Sequence, residues 1–551
     1  MNGSGRDHCA NVAWRLKAAA ARTPYQKAVI EPCGETPDGL VAYRHLTFRQ
    51  LDKVSDRLAA GFEAAGISAG ARTVLMAPFG IDFFKITFAL FKVGAVPVLV
   101  DPGMGVKRMI ACLRHTDPTA FVGIPKAHVA RLLNPKAFSG IDTHITVGKR
   151  WFWRGPTLQS IQSGHHRPFQ PMRRKSDDTA AILFTTGSTG TAKGAVYTHG
   201  IFNSQIDSIH KHFKIGDDEI DLPTFPLFAL FDPALGMTAV IPEMDPARPA
   251  SANPVNIAQA ILDHGITNMF ASPALLNRLG QWGQDKKICF PTLRRVVSAG
   301  APVSPQNIAV FSRLLTGGAD IHTPYGATEA MPVTAISGSE ILTQTKKRTE
   351  QGFGVCVGQP VKGIDLQIIG ISDEPIKTWS SDLIVGNGDI GEIVVTGDVV
   401  TRQYYKNEHA NALHKINDNT RIWHRMGDLG WRDNKERVWF CGRKSHRVVT
   451  EKETLFTLPV EAIFNRHPAV FRSALVGVGE MGAQIPVICI ELKPDSEIAE
   501  ENIAEELMEL AAKNPLTRQI EEIRFHPGFP VDVRHNAKIL REKLAVWAVN
   551  N

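Results

Sequence analysis

Ala180-Ala-Ile-Leu-Phe184-Thr-Thr-Gly-Ser-Thr-Gly190-Thr-Ala-Lys193-Gly194 sets a short apolar run directly against a run of hydroxyls and glycines. The apolar part predicts a buried strand. In the polar part, backbone N–H groups, side-chain O–H groups and one ammonium can converge on a single anion, which is how proteins hold phosphate. The phosphate loop of mononucleotide kinases does not fit. It needs Gly before its lysine and Ser or Thr after it, whereas Lys193 stands between Ala192 and Gly194. A merely flexible Ser/Gly turn is a poor account of ten such residues between a strand and a predicted helix.

Around this segment lie 551 residues with 62 Lys and Arg against 55 Asp and Glu, a formal charge of +7. With 43% hydrophobic and 21% charged residues the chain is globular and not disordered. The charge surplus is too dilute to argue for nucleic acid, but it suits a protein that handles anions. It is also uneven. Residues 444–551 carry 13 basic and 16 acidic side chains, a net of −3, so residues 1–443 hold +10. The seven cysteines are scattered and form no CxxC, which argues against zinc and disulfides and for a reducing, cytoplasmic setting. The N-terminus lacks the apolar core of a signal peptide. The most apolar stretch, Ile86 to Val100, contains Lys92 and Pro97 and is too short to span a bilayer. Peripheral membrane contact stays open.

Thr47 before Phe48, Leu51, Val54, Leu58 and Phe62 predicts a capped amphipathic helix. A strand at Thr73–Ala77, a helix at Phe83–Phe91 and a strand at Val96–Val100 then form a βαβ unit, hence a parallel sheet. The alternation recurs at Ile257–Leu262 with Met269–Ala271, and at Leu293–Val297 with Pro305–Leu315. From Ile364 the texture turns β-rich, at Ile364–Ile371, Glu392–Thr396 and Val438–Cys441. Beyond the polar segment Arg443–Glu453 a separate unit begins, with strands at Ser473–Val478 and Ile485–Leu492 and an acidic helix at Glu497–Ala512.

The phosphate segment resembles that of the adenylate-forming superfamily, which comprises acyl-CoA synthetases, peptide-synthetase adenylation domains and luciferases. Further motifs follow in that superfamily's order. They are Phe91–Pro97 with Asp101-Pro102, Ser298-Ala-Gly300-Ala301-Pro302, Tyr325-Gly326-Ala-Thr328-Glu329, Gly391–Gly397, Met426-Gly-Asp428, Gly442-Arg443, and Asn536-Ala-Lys538 with Arg541. The resemblance implies an α/β fold: a large N-terminal region, 1–443, of two α/β subdomains plus a β-rich one, and a small α+β lid, 444–551. It also implies ATP and Mg²⁺. Thr185, Thr186, Gly187, Ser188, Thr189, Gly190 and Lys193 would hold phosphates. Gly300, Ala301 and Pro302 would line the adenine, on which Tyr325 would stack beside Gly326. Thr328 would touch phosphate and Glu329 would hold Mg²⁺. Asp428 would take the ribose hydroxyls, next to Arg443. Lys538 would be the catalytic lysine, offsetting charge as a carboxylate approaches the α-phosphate. Because Lys538 stands on the lid, the lid must close, and rotation is expected at Lys444-Ser445.

Departures narrow the reaction. Lys444 to Pro459 contains no glycine, where acyl-CoA synthetases have one that lets pantetheine pass. In Asp221–Gly236, Ala229 occupies a place where many synthetases have His. Together with Tyr197–Gly200, Ile241–Pro246, Phe270–Pro273 and Arg534–Lys538, these features resemble the β-lactone synthetase branch of bacterial long-chain olefin biosynthesis. That branch implies a 2-alkyl-3-hydroxy fatty acid substrate, and neighbours of thiolase-like, reductase and hydrolase type. Long-chain acyl-CoA or acyl-AMP ligation is the alternative. Phe225, Phe228, Phe231 and Met237 are candidate pocket walls, or equally plain core. Asp232 and His199 are candidates for steering the hydroxyl, set against a turn residue and a structural histidine.

Overall fold

The computed structural model describes residues 9–100, 102–164, 167–185, 192–494, 499–531 and 539–550. The expected strand runs Thr179–Thr185, inside a six-stranded sheet. Its order is Thr143–Thr146, Ala120–Gly123, Arg72–Met76, Val96–Val100, Thr179–Thr185 and Lys193–Thr198. The phosphate segment leads not into a helix but into the antiparallel strand Lys193–Thr198, with Thr185 paired to Lys193. The following helix, His199–Phe213, starts only after Thr198 caps it. The reason lies in Gly194-Ala-Val-Tyr197, a fully buried run that completes the ladder. A Cβ at Gly194 would meet the Phe184 ring at 2.8 Å, so glycine permits the close pairing. Thr186, Gly187, Ser188, Thr189 and Gly190 lie outside the described residues, as does Lys538.

The helix predicted from Thr47 spans Phe48–Ala64 and carries a capping box. Thr47 Oγ1 accepts from the Gln50 N–H at 3.2 Å and Gln50 Oε1 from the Thr47 N–H at 2.8 Å. Its buried face, Phe48, Leu51, Val54, Leu58 and Phe62, packs on the helix Ile81–Lys92. At the end of that second helix the fully buried Lys92 ammonium lies 2.6 Å from both Asp52 and Asp56 and 2.9 Å from Ser55 Oγ. With the Asp52 carbonyl at 2.9 Å these acceptors offset part of its desolvation, which still lowers the ammonium's pKa.

A second sheet carries the parallel strands Lys27–Glu35, Thr238–Val240, Ile220–Pro223, Asn268–Ala271, Arg295–Ser298 and Asp320–Ala327, in that spatial order, with Val41–Thr47 antiparallel at the edge. The predicted helix Pro305–Leu315 stops at Ser312, because Leu314 is claimed by the Phe290 N–H at 2.8 Å. Beyond Asp320–Ala327 the antiparallel strand Ala330–Ser337 hands the sheet on to Val355–Pro360, Val438–Arg443, Arg421–Arg432, Gly391–Gly397 and Ile364–Ile369 without a break. That run is the β-rich texture read from Ile364 onward.

Strand Val438–Arg443 ends where a short turn, Lys444–His446, begins. The remainder builds the sheet Val470–Val478, Ile485–Leu492, Glu522–Phe525, covered by helices Thr457–Phe464, Glu500–Ala512 and Arg541–Asn550. It has its own core, including Val460, Phe464, Leu475, Ile488, Ile503 and Leu507.

Candidate active site

The carboxyl ends of parallel strands are where an open α/β sheet presents binding groups. Four of the predicted segments stand there. Phe225 and Phe228 follow Ile220–Pro223, Phe270 is next to last in Asn268–Ala271, Gly300-Ala301-Pro302 follows Arg295–Ser298, and Tyr325 lies near the end of Asp320–Ala327. Gly300 is exposed with φ +96°.

Thr328 and Glu329 form the two-residue turn of the hairpin that joins Asp320–Ala327 to Ala330–Ser337. A Cβ at Gly326 would meet the Ala330 carbonyl at 2.6 Å, so the tight approach requires glycine. Tyr197 Oη donates to the Thr328 carbonyl at 2.5 Å and pins the turn from the Lys193 hairpin. Tyr404 Oη donates to Glu329 Oε1 at 2.7 Å, and the Thr401 N–H to the Glu329 carbonyl at 2.8 Å.

Around Tyr404 the structure assembles a basic cluster that the motif reading missed. Lys193 Nζ lies 5.5 Å and Lys415 Nζ 5.4 Å from the Tyr404 ring centre. Lys193 donates to His414 Nε2 at 2.6 Å, while His414 Nδ1 faces the Arg425 carbonyl at 3.4 Å. His424 Nδ1 faces the His414 carbonyl at 3.2 Å. Burial, then the Lys193 charge, brings the His414 pKa down to about 3, so this imidazole is neutral and accepts through Nε2. Lys415, which donates to the Thr401 carbonyl and to Thr401 Oγ1 at 3.2 Å, is brought down to about 7 by burial, against the pull of Glu329. Burial also lowers Lys193. The sequence signal was present as His414-Lys415 and His424, basic residues a few positions ahead of Asp428.

Asp428, 4% exposed, is gripped by the Tyr325 hydroxyl at 2.7 Å and the Arg443 guanidinium at 2.9 Å. Burial and the Asp428 charge push the Tyr325 phenol well up, so it stays a donor. Asp428 is the largest cause raising Arg443. Three predicted residues from three strands thus form one unit.

The predicted pocket residues separate into two groups. Phe228 stacks on Phe270 with centroids 4.0 Å apart, and Phe225 adjoins it at 5.9 Å. These half-buried rings stand at the strand ends. Met237 is 1% exposed within the main core, and Phe231 packs against that core, with its ring 6.2 Å from Phe202. His199 is fully buried, accepting the Val12 N–H at 3.3 Å through Nδ1 and edging Phe91; burial takes it down to about 4. Asp232 is hydrogen-bonded to Asp221, whose other contact is the amide of Asn268. Burial raises Asp221 to about 7 and, with the Asp221 charge, puts Asp232 well above the carboxylate range. The two acids share a proton.

At the predicted pivot, Lys444 Nζ donates to the Ser372 carbonyl at 2.6 Å and lies 3.3 Å from Glu392, while Ser445 is exposed. Arg447 pairs with Asp373, and His446 Nε2 lies 3.2 Å from Glu542. The Lys538 segment is bracketed by a bridge between Val531 and Ile539, and Arg541 grips Glu461 at 2.5 and 2.7 Å.

The family profile described as AMP-binding enzyme matches residues 16–405. The chain is 46% identical over 550 residues to an olefin beta-lactone synthetase of Stenotrophomonas maltophilia, covering 98% of each chain. It is also 46% identical over 548 residues to one of Xanthomonas campestris, covering 98% of this chain and 97% of that one. Among solved structures, the amide bond synthetase McbA from Marinactinospora thermotolerans superposes with a TM-score of 0.78 at 19% identity, over 98% of this chain and 99% of that chain.

Proposed function

Because the chain belongs to the AMP-binding enzyme family, we propose that it converts a 2-alkyl-3-hydroxy fatty acid and ATP into a β-lactone, AMP and pyrophosphate. The near full-length likeness to two olefin β-lactone synthetases carries this reading. With the carboxylate as the activated group, its oxygen attacks the α-phosphorus and the bond to pyrophosphate breaks. The 3-hydroxyl then attacks the acyl carbon, AMP leaves with the C–O bond electrons, and the hydroxyl proton passes to solvent or phosphate. The tethered hydroxyl acts at high effective molarity, which removes the need for a thiol. The glycine-free segment Lys444–Pro459 then has no pantetheine to admit.

In this reading the Lys193 hairpin holds the triphosphate, Asp428 takes the ribose, and Gly300–Pro302 with Tyr325 borders the adenine. Among the described residues no three His, Cys, Asp or Glu converge as a metal cage. A single carboxylate, Glu329, fixed through Oε1 by Tyr404, suits Mg²⁺ that arrives mostly ligated by phosphate and water. Bound there, the ion would neutralise charge on the departing pyrophosphate. Residues 444–551 act as a lid that brings Lys538 to the α-phosphate by turning at Lys444-Ser445. Among the described residues no helix is long and apolar enough to cross a membrane.

The test is product analysis with ATP, Mg²⁺ and a 2-alkyl-3-hydroxy acid. A four-membered lactone formed without coenzyme A is expected. AMP release that strictly requires coenzyme A would establish the acyl-CoA ligase alternative instead.

A further inference from the structure

The first sheet ends, on the side away from the Lys193 hairpin, in the edge strand Thr143–Thr146. The loop after it reads Lys149-Arg-Trp-Phe-Trp-Arg154. Trp153 anchors this loop: it is buried, its indole donates to Thr146 Oγ1 at 2.8 Å, and its ring stacks on His128 at 5.0 Å. The loop is also tied down by the Thr146 N–H donating to the Pro156 carbonyl at 3.1 Å and by Arg150 donating to the Gly155 carbonyl at 2.5 Å. Trp151 and Phe152, whose rings lie 5.6 and 5.2 Å from that of Trp153, stay 53% and 77% exposed among the exposed Lys149, Arg150 and Arg154. His128 belongs to the helix Pro125–Leu133, and one turn beyond it the exposed Leu132 and Leu133 extend the apolar surface.

Charge accompanies this apolar face. From Pro118 to Lys175 the sequence holds ten Lys and Arg against one acid, Asp142. This stretch alone exceeds the surplus of +7 on the whole chain. Among the described residues, Arg174 is the only one of the ten with an ion pair, to Asp178 at 3.2 Å. Solvated cations alone need no partner, and single exposed apolar residues are ordinary. Exposed Trp and Phe held on a rigid loop between unpaired cations are what the headgroup region of an anionic bilayer accommodates, rings at the interface and ammonium or guanidinium groups on lipid phosphates.

We propose that this face, centred on Lys149–Arg154 with Leu132 and Leu133, docks the protein on an anionic lipid bilayer. The proposal needs only the surface, and holds whichever acid the enzyme activates. A substrate with two alkyl chains, which itself partitions into lipid, gives the docking a purpose.

Sedimentation of the full-length protein with vesicles tests it. Phosphatidylglycerol-containing vesicles are expected to carry the protein down, and pure phosphatidylcholine vesicles are not, with the binding weakening as salt rises. Replacing Lys149, Arg150 and Arg154 by Glu should lower partitioning roughly 100-fold or more. Trp151→Ser with Phe152→Ser should lower it about tenfold or more. Both variants should keep the melting temperature and the pyrophosphate release seen with a water-soluble short-chain 3-hydroxy acid. Equal sedimentation with the two vesicle types, or wild-type binding in both variants, would overturn the proposal. So would absence of vesicle binding together with self-association lost in the Trp151/Phe152 variant, which would assign the face to a protein partner.

Discussion

Tyr404 holds Glu329 by a hydroxyl-to-carboxylate hydrogen bond of 2.7 Å, and two lysine ammonium groups lie within 5.5 Å of the ring that makes it. The two residues come from different strand connections, 75 positions apart. The bond fixes one carboxylate oxygen and leaves the other to a cation. Tyr404→Phe keeps the ring beneath the lysines and removes only the donor. A hydrogen bond to a charged group contributes about 1.5–3 kcal/mol, so the half-saturating Mg²⁺ concentration in pyrophosphate exchange should rise about ten- to a hundredfold. An unchanged Mg²⁺ titration would remove Glu329 from the metal role.

His414 acts on Lys193 as a neutral acceptor. His414→Leu deletes the acceptor, whereas His414→Gln can offer a carbonyl oxygen in its place. The Leu variant should raise KM for ATP about tenfold with little change in KM for the acid, and the Gln variant should recover most of the loss. Equal damage by both would mean that His414 serves only packing.

The pair Asp221 and Asp232 carries a pH signature with a definite sign. Unfolded, each carboxyl ionises near its ordinary value of 3.8; folded, Asp221 does so at about 7. Between those values the folded state binds more protons, so stability falls as pH rises, and Asp232, held well above the carboxylate range by burial and by the Asp221 charge, extends the fall. Asp232→Asn lets an amide donate where the shared proton sat. Thermal melts of this variant should be higher than wild type at pH 8 and converge with it near pH 4. A variant less stable at pH 8 would show that no proton is shared.

Lys92 is buried because Asp52 and Asp56 neutralise it. Lys92→Met should destabilise the protein by about 3 kcal/mol in urea titrations, since the two carboxylates keep only Lys17, at 3.4 and 3.3 Å, as a counter-charge. Adding Asp52→Asn and Asp56→Asn should restore part of the loss. If the triple variant were no better than Lys92→Met, the cost would lie in packing volume and not in charge.

What the sequence disclosed follows from how local each signal is. The Thr47 capping box and the apolar stripe behind it are fixed by neighbours three and four positions away, and the helix stands where the spacing put it. The motif acids and glycines each lie in a short contiguous run, which is why a sequence can nominate them. Nothing local in Lys193–Thr198 distinguishes a buried six-residue strand from the first turn of a helix; pairing with Thr179–Thr185 decides it. Lys193 and His414 are 221 positions apart, and the proton-sharing acids depend on Asn268, 47 positions beyond Asp221. Such convergence is a property of the sheet order.

The unbroken run of strands from Ile364–Ile369 through the Thr328–Glu329 hairpin to Val41–Thr47 also governs how the molecule comes apart. Every ladder in it borrows cohesion from the next, so amide protons on either side of that hairpin should exchange with solvent in a single cooperative opening. Residues 444–551, whose core is their own, should open earlier and separately. The chain can then lose and regain its C-terminal unit many times without disturbing the sheet that carries the Thr328–Glu329 hairpin.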